Sequence, residues 1–79
     1  MDLDAAERLE PGQVIWFQPK GDPLETAGPS IVLRQPEVQY EALQADLHMP
    51  SWVEVEILTP TTILIARDEE LFYSRPVWA

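Results

Sequence analysis

Apolar and polar residues alternate along several short stretches of the chain, which is the pattern of β-strands with two different faces. The clearest stretch is WVEVEIL, residues 52–58, whose valines and isoleucine share one face while its two glutamates share the other. A second apolar stretch, TILIARD at residues 62–68, follows after a short segment that contains a proline. We therefore predict a β-hairpin over these two stretches.

Three further stretches are predicted to be strands from their β-branched and aromatic content. They are QVIWFQP at residues 13–19, IVLR at 31–34 and LFYS at 71–74. Trp16 and Phe17 are neighbours in the first of these strands and point to opposite faces. Both are expected in the core, so this strand is expected to be covered on both sides.

One stretch has the spacing of a helix. Tyr40, Leu43 and Leu47 lie at positions i, i+3 and i+7, which places them on one helical face. Pro36 is suited to the first helical position, and Met49-Pro50 would end the element. The spacing predicts a helix near residues 36–48.

Together these elements predict one mainly β (α+β) domain over residues 1–79. About five short strands and one helix fit a small curled antiparallel sheet, or a partly open barrel similar in strand number to SH3 and OB barrels. Residues 1–10 are predicted to be either a short helix or a frayed tail. Residues 20–30, with two Gly and two Pro, are predicted to be a flexible loop.

The hairpin has two possible registers, and they place different residues on the surface. A three-residue turn pairs Ile57 with Ile63, which leaves the glutamates on a solvated outer face. A two- or four-residue turn pairs Glu54 with Arg67 as an ion pair and moves Ile63 and Ile65 to the face of the glutamates. Because a one-residue slip exchanges the two faces, the second register gives a half-apolar face that is either core or a docking site.

Charge narrows the possible partners. Fourteen acidic residues against five basic ones give a net charge of −9, and the basic residues are scattered singly. Nucleic acids and anionic membranes are bound by clusters of Lys and Arg, so neither is an expected partner. A protein partner with a basic surface is electrostatically favoured. The chain contains no cysteine and its first residues have no signal-peptide pattern, so a cytoplasmic location is expected.

No catalytic, cofactor or metal site is predicted. His48 is the single histidine, no serine lies in a nucleophile-elbow pattern, and the three glycines are isolated. The acidic clusters lack the glycine and the alternating oxygens of a calcium loop. We therefore expect no enzyme, and we interpret the carboxylates as solvated surface.

The candidate partner-binding residues are chosen by type, because Tyr, Trp and Arg are enriched at binding hot spots. One group lies on the glutamate face of the hairpin, and the other lies near the carboxyl end of the chain. The six candidates are Trp52, Glu54, Glu56, Tyr73, Arg75 and Trp78.

The favoured hypothesis is a non-enzymatic, acidic protein-interaction module, of the accessory or regulatory kind found in bacteria and phages. Its specific form is an inhibitor that presents carboxylates to a basic surface of a larger protein. The alternative is a structural subunit of a larger assembly, such as a phage particle.

Overall fold

A computed structural model describes residues 1–20, 26–44 and 47–79, and for 41–44 and 47–50 it describes the backbone alone. Within these residues one short α-helix precedes six strands, and a 3-10 helix, Asp68–Glu70, connects the last two strands. In chain order the elements are α1 (Leu3–Glu7), β1 (Val14–Phe17), β2 (Gly28–Val32), β3 (Glu37–Gln44), β4 (Leu47–Leu58), β5 (Ile63–Arg67) and β6 (Leu71–Phe72).

The strands form one antiparallel sheet in the order β3-β4-β2-β1-β6, with β5 paired to β4 outside this path. The long strand β4 has β3 and then β2 along one edge and β5 along the other. The sheet curls into a half-barrel, which confirms the predicted mainly β fold with a small curled antiparallel sheet.

The core lies on the inner face of this curled sheet. Strands β4 and β5 contribute Val55, Ile57 and Ala66, each fully buried. The helix α1 packs against this face through Ala6. The other buried apolar residues are Leu9, Ile15, Phe17, Val32, Val53 and Leu71.

Within the first ten residues, Leu3–Glu7 form a short helix, which was one of the two predicted alternatives for this segment. Helix α1 begins after Asp2, whose carboxylate accepts a hydrogen bond of 2.8 Å from the backbone N–H of Ala5. Such an N-cap satisfies one of the free amide groups at a helix start. Burial of Ala6 and Leu9 then fixes a helix that would be marginal in isolation.

The predicted helix near residues 36–48 is wrong. Residues 37–44 form strand β3 and residues 47–48 begin β4, the two strands pair in antiparallel fashion with Glu37 opposite Glu54, and residues 45–46 lie outside the described part of the chain. Residues 37–42 also alternate strictly between polar and apolar types, and this period of two matches the observed strand. Pro50 lacks an N–H for the ladder, and the register shifts between Gln39 and Tyr40, the residue opposite it.

Strands β2 and β3 follow the same edge of β4 but are separated by a kink. Val32 pairs with Ile57, whereas Glu37 pairs with Glu54, so residues 33–36 face only residues 55–56. The N–H of Leu33 still donates to the Glu56 carbonyl at 2.8 Å. This segment has two residues more than the part of β4 that it faces. The chain therefore bends away from β4 and leaves a depression there.

The predicted loop at residues 20–30 is also corrected at its end. Gly28–Ser30 belong to β2 and pair with β1, and residues 21–25 lie outside the described part of the chain. Gly28 has a φ of 150° and its α-carbon faces the Pro60 ring, where a β-carbon would come within 2.7 Å of Cγ. This close approach explains why a strand can begin at a glycine here.

The hairpin adopts the register of the four-residue turn. Glu54 lies opposite Arg67 and Leu58 opposite Ile63, so residues 59–62 form the connection. Thr59 Oγ1 accepts from the N–H groups of Thr61 and Thr62, at 3.3 and 2.9 Å, and donates to the Thr62 carbonyl at 2.8 Å. A buried threonine hydroxyl therefore holds the turn that sets the register of β4 against β5.

We expect Thr59→Val to lower the free energy of unfolding by about 1–3 kcal/mol, because two backbone N–H groups lose their acceptor in a part-buried turn. Thr61→Val is the matched control, since the Thr61 side chain is exposed and makes no hydrogen bond to the part of the chain that the structure describes. The control should stay within about 0.5 kcal/mol of the parent. Urea unfolding of both variants measures the difference, and equal stabilities would contradict the role given to Thr59.

Candidate functional site

A row of exposed apolar side chains crosses four strands on the outer face of the sheet. Val14 of β1 lies opposite Ile31 of β2, Ile31 lies opposite Leu58 of β4, and Leu58 lies opposite Ile63 of β5. Directly opposed residues have β-carbons about 4.5–5.5 Å apart, so the four side chains adjoin one another. We call these four residues the apolar row.

The apolar row is open to solvent. The exposed fractions are 62% for Val14, 40% for Ile31, 40% for Leu58 and 59% for Ile63. Ile65, two residues further along β5, is 63% exposed on the same face. The half-apolar face predicted for this register is therefore not core, and it extends onto β1 and β2, beyond the hairpin that predicted it.

Carboxylates border the apolar row where β2 kinks into β3. The kink leaves a depression of about 200 Å³ beside β4 and β5. Three carboxylates and one guanidinium line it, together with one amide and one apolar side chain. The lining residues are Arg34, Gln35, Glu37, Glu54, Glu56 and Ile65.

The carboxylates of this depression are unequally compensated. Glu56 is 3.4 Å from Arg34 Nε. Glu54 accepts a hydrogen bond of 3.0 Å from Trp52 Nε1 and one of 3.4 Å from the side-chain Nε2 of Gln39. Glu37 lies directly opposite Glu54, and two like charges in this position repel each other. The depression therefore has a negative excess that a cationic group from outside would neutralise.

The predicted ion pair between Glu54 and Arg67 does not form, although the two residues are opposite each other. The guanidinium carbon of Arg67 lies 4.5 Å from the centre of the Trp52 ring instead. Stacking on the indole is a favourable cation–π arrangement for arginine. Trp52 thus contacts Arg67 through its ring face and Glu54 through its N–H, which holds all three side chains in place.

A second aromatic group lies at the other end of the outer face. Phe72 of β6 lies opposite Trp16 of β1. Trp78 packs edge-on against Phe72, with ring centres 5.8 Å apart. The guanidinium carbon of Arg75 lies 5.7 Å from the Trp16 ring centre, and its Nε donates to the Ala79 carbonyl at 3.0 Å. The carboxyl-terminal residues therefore fold back onto β1 and β6.

The six predicted partner-binding residues fall into two separate groups. Trp52, Glu54 and Glu56 lie on β4, while Tyr73, Arg75 and Trp78 follow β6 and are exposed. The apolar row bridges the gap between them, because Val14 is the next residue to Trp16 on the outer face of β1. The bridging residues Val14, Ile31 and Leu58 were not predicted.

Trp16 also corrects the sequence prediction. It is half-buried on the outer face, whereas Phe17 is in the core as expected. Strand β1 is thus not covered on both sides, since Val14 beside Trp16 is exposed. The signal that could have found this surface was the register in which Leu58 adjoins Ile63, but the contacts with β1 and β2 depend on pairings between distant segments.

In the part of the chain that the structure describes, no group of three acidic or histidine side chains could hold a metal ion. The described segments also contain no helix with the length and apolar character needed to cross a membrane. No family model, curated protein or solved structure matches this chain.

The two faces of β4 can be tested with neighbouring residues. We expect Ile57→Ser to destabilise the fold by about 3 kcal/mol or more, because Ile57 is fully buried. Leu58→Ser should cost less than about 1 kcal/mol, because Leu58 faces solvent. Chemical unfolding of the two variants makes the comparison, and similar losses of stability would show that the apolar row is covered.

Proposed function

We propose that this chain is a non-enzymatic protein-interaction module that binds a basic surface of a larger protein through its outer face. The observation that carries the proposal is the apolar row. Four adjoining apolar side chains on the surface of a chain with a net charge of −9 are unusual for a surface that serves solubility alone.

The arrangement of the outer face resembles the anatomy of a protein interface. Interfaces combine an apolar centre with a polar rim, and their energetic anchors are enriched in Trp, Tyr and Arg. Here the apolar row is the centre. The Trp52 and Arg67 pair lies beyond Ile65 on the side of β4 and β5, and Arg75 lies over Trp16 on the side of β1.

Charge supports a basic partner. The depression beside the apolar row carries three carboxylates and a single guanidinium, and Glu37 and Glu54 repel each other across β3 and β4. A lysine or arginine of a partner would relieve that repulsion. The specific form of the proposal is an inhibitor that presents these carboxylates to a basic groove. The setting we propose is the cytoplasm of a bacterium or a phage-infected cell.

The experiment is capture of the partner from native cell extract by the full chain, with identification by mass spectrometry, followed by affinity measurement on the purified pair. We expect Leu58→Lys to weaken binding at least tenfold, because a charge would enter the apolar centre of the interface. We expect Glu54→Gln with Glu56→Gln to weaken it mainly through a slower association rate.

Glu7→Gln is the matched control for the charge variants. Glu7 is exposed on α1, forms no ion pair with the other described residues and is not on the outer face. Raising the salt concentration should weaken binding of the parent and of the control alike, since charges are screened beyond about 8–10 Å. The proposal would be contradicted if the affinity for the captured protein stayed the same in Leu58→Lys, in the double Gln variant and at high salt.

A second candidate is a structural subunit of a larger assembly, such as a phage particle. It is favoured by the shape of the molecule, which measures 41 Å along its longest axis against 25 and 21 Å along the others. An elongated chain with an exposed apolar row can pack against copies of itself. Analytical ultracentrifugation at micromolar concentration distinguishes the two, because the assembly subunit would sediment as an oligomer and the interaction module as a monomer.

A further inference from the structure

Strand β5 pairs with β4 along one edge. The hydrogen bonds at the two ends of β5 show which of its backbone groups point toward the other edge. At the turn, the N–H of Thr59 donates to the Thr62 carbonyl, so residue 62 faces β4. At the other end, the N–H of Arg67 points away from β4 and donates to Glu70 Oε1 at 2.9 Å. Backbone groups alternate in direction along an antiparallel strand. Those of Leu64 and Ala66 therefore face β4, and those of Ile63 and Ile65 face outward.

No other strand covers this edge within the described residues, where β5 pairs with β4 alone. Among these outward groups, the Ile63 carbonyl accepts a long hydrogen bond of 3.4 Å from Thr62 Oγ1. The side chains of Ile63 and Ile65 are both more than half exposed. An apolar edge strand with free backbone groups is a template for pairing with another chain.

Between Ile63 and Ala66 the edge lacks the devices that usually protect such strands. Natural edge strands are blocked by lysine, proline, bulges or inward-pointing charges. Strand β5 has the sequence ILIAR, is paired to β4 without a register shift, and has its one charged side chain, Arg67, stacked on Trp52. Protection is present only at Arg67, where the Glu70 carboxylate occupies the backbone N–H.

We propose that the free edge of β5 accepts an extended segment of the basic partner as an added strand. Main-chain hydrogen bonds to Ile63 and Ile65 would supply affinity, and alternate side chains of the segment would supply specificity. This inference rests on the proposed function, because the added strand would lie beside the apolar row and extend the outer face by one strand.

The chemistry of the segment follows from its neighbours. The side chains of the segment that lie on the outer face of the sheet would be beside those of Ile63 and Ile65. These neighbours favour valine or isoleucine at alternate positions of the segment. One end of the segment would lie near Glu70, and the whole segment would approach a chain of net charge −9, which favours lysine or arginine at its ends. A second copy of the chain is the less suitable occupant, since two chains of net charge −9 repel each other.

The test uses the isotope-labelled full chain and a synthetic peptide with valines at alternate positions and lysines at both ends. Amide hydrogen exchange is followed by NMR with and without the peptide. We expect the amides of Ile63 and Ile65 to exchange rapidly in the free protein and at least tenfold more slowly with saturating peptide. The amides of Leu64 and Ala66 should be protected in both states, because they donate to β4.

Two substitutions at one position separate the backbone from the side chain. Ile65→Pro removes an outward N–H that no hydrogen bond within the described residues uses, and proline is tolerated at such edge positions. Ile65→Ala removes a similar apolar contact and keeps the N–H. We expect the proline variant to bind the peptide at least tenfold more weakly than the alanine variant, measured by fluorescence anisotropy.

The outcomes distinguish this inference from the proposed function. Peptide binding without slower exchange at Ile63 and Ile65 would overturn strand addition, while capture of the partner through the apolar row would still stand. The absence of peptide binding at low salt would also overturn it. Concentration-dependent protection of the two amides in the free protein would assign the edge to a second copy, which contradicts a basic partner segment.

Discussion

The pairing of β4 with β5 is the constraint on which the rest of the structure depends. Thr59 holds the four-residue turn, and the turn places Leu58 opposite Ile63 and Glu54 opposite Arg67. A slip of one residue would exchange the faces of β5 and move Ile63 and Ile65 out of the outer face. One turn therefore determines the apolar row and the contact of Arg67 with Trp52. It also determines which backbone groups of β5 point toward the free edge.

This register separates two apolar surfaces in a small domain. The inner face holds the core, and the outer face displays side chains of the same chemical type without covering them. Their exposure is a weakness for an isolated molecule, because edge pairing and apolar contacts both promote association. A net charge of −9 opposes self-association and leaves the same surface available to a basic partner. In the proposed function, the acidic residues and the apolar row are therefore two parts of one binding surface.

The sequence indicated most of the strands because their alternation is local, and it reduced the hairpin to two registers. It misplaced the helix because residues 36–48 contain both periods: Tyr40, Leu43 and Leu47 fit a helix, while residues 37–42 alternate as a strand. Pairing with β4 decided between them. The apolar row was only partly predictable, since the contact of Ile31 with Leu58 joins segments distant in sequence and leaves no local signal.

The most direct measurement is the pattern of Hα–Hα contacts between β4 and β5 in NMR spectra. Because Glu54 and Arg67 form a pair whose backbone groups point away from each other, their α-carbons should be about 4.5 Å apart. A strong contact between these two Hα atoms, and another between Glu56 and Ile65, is the predicted result. Contacts joining Ile57 with Ile63 would contradict the account, because that register removes Ile63 and Ile65 from the outer face.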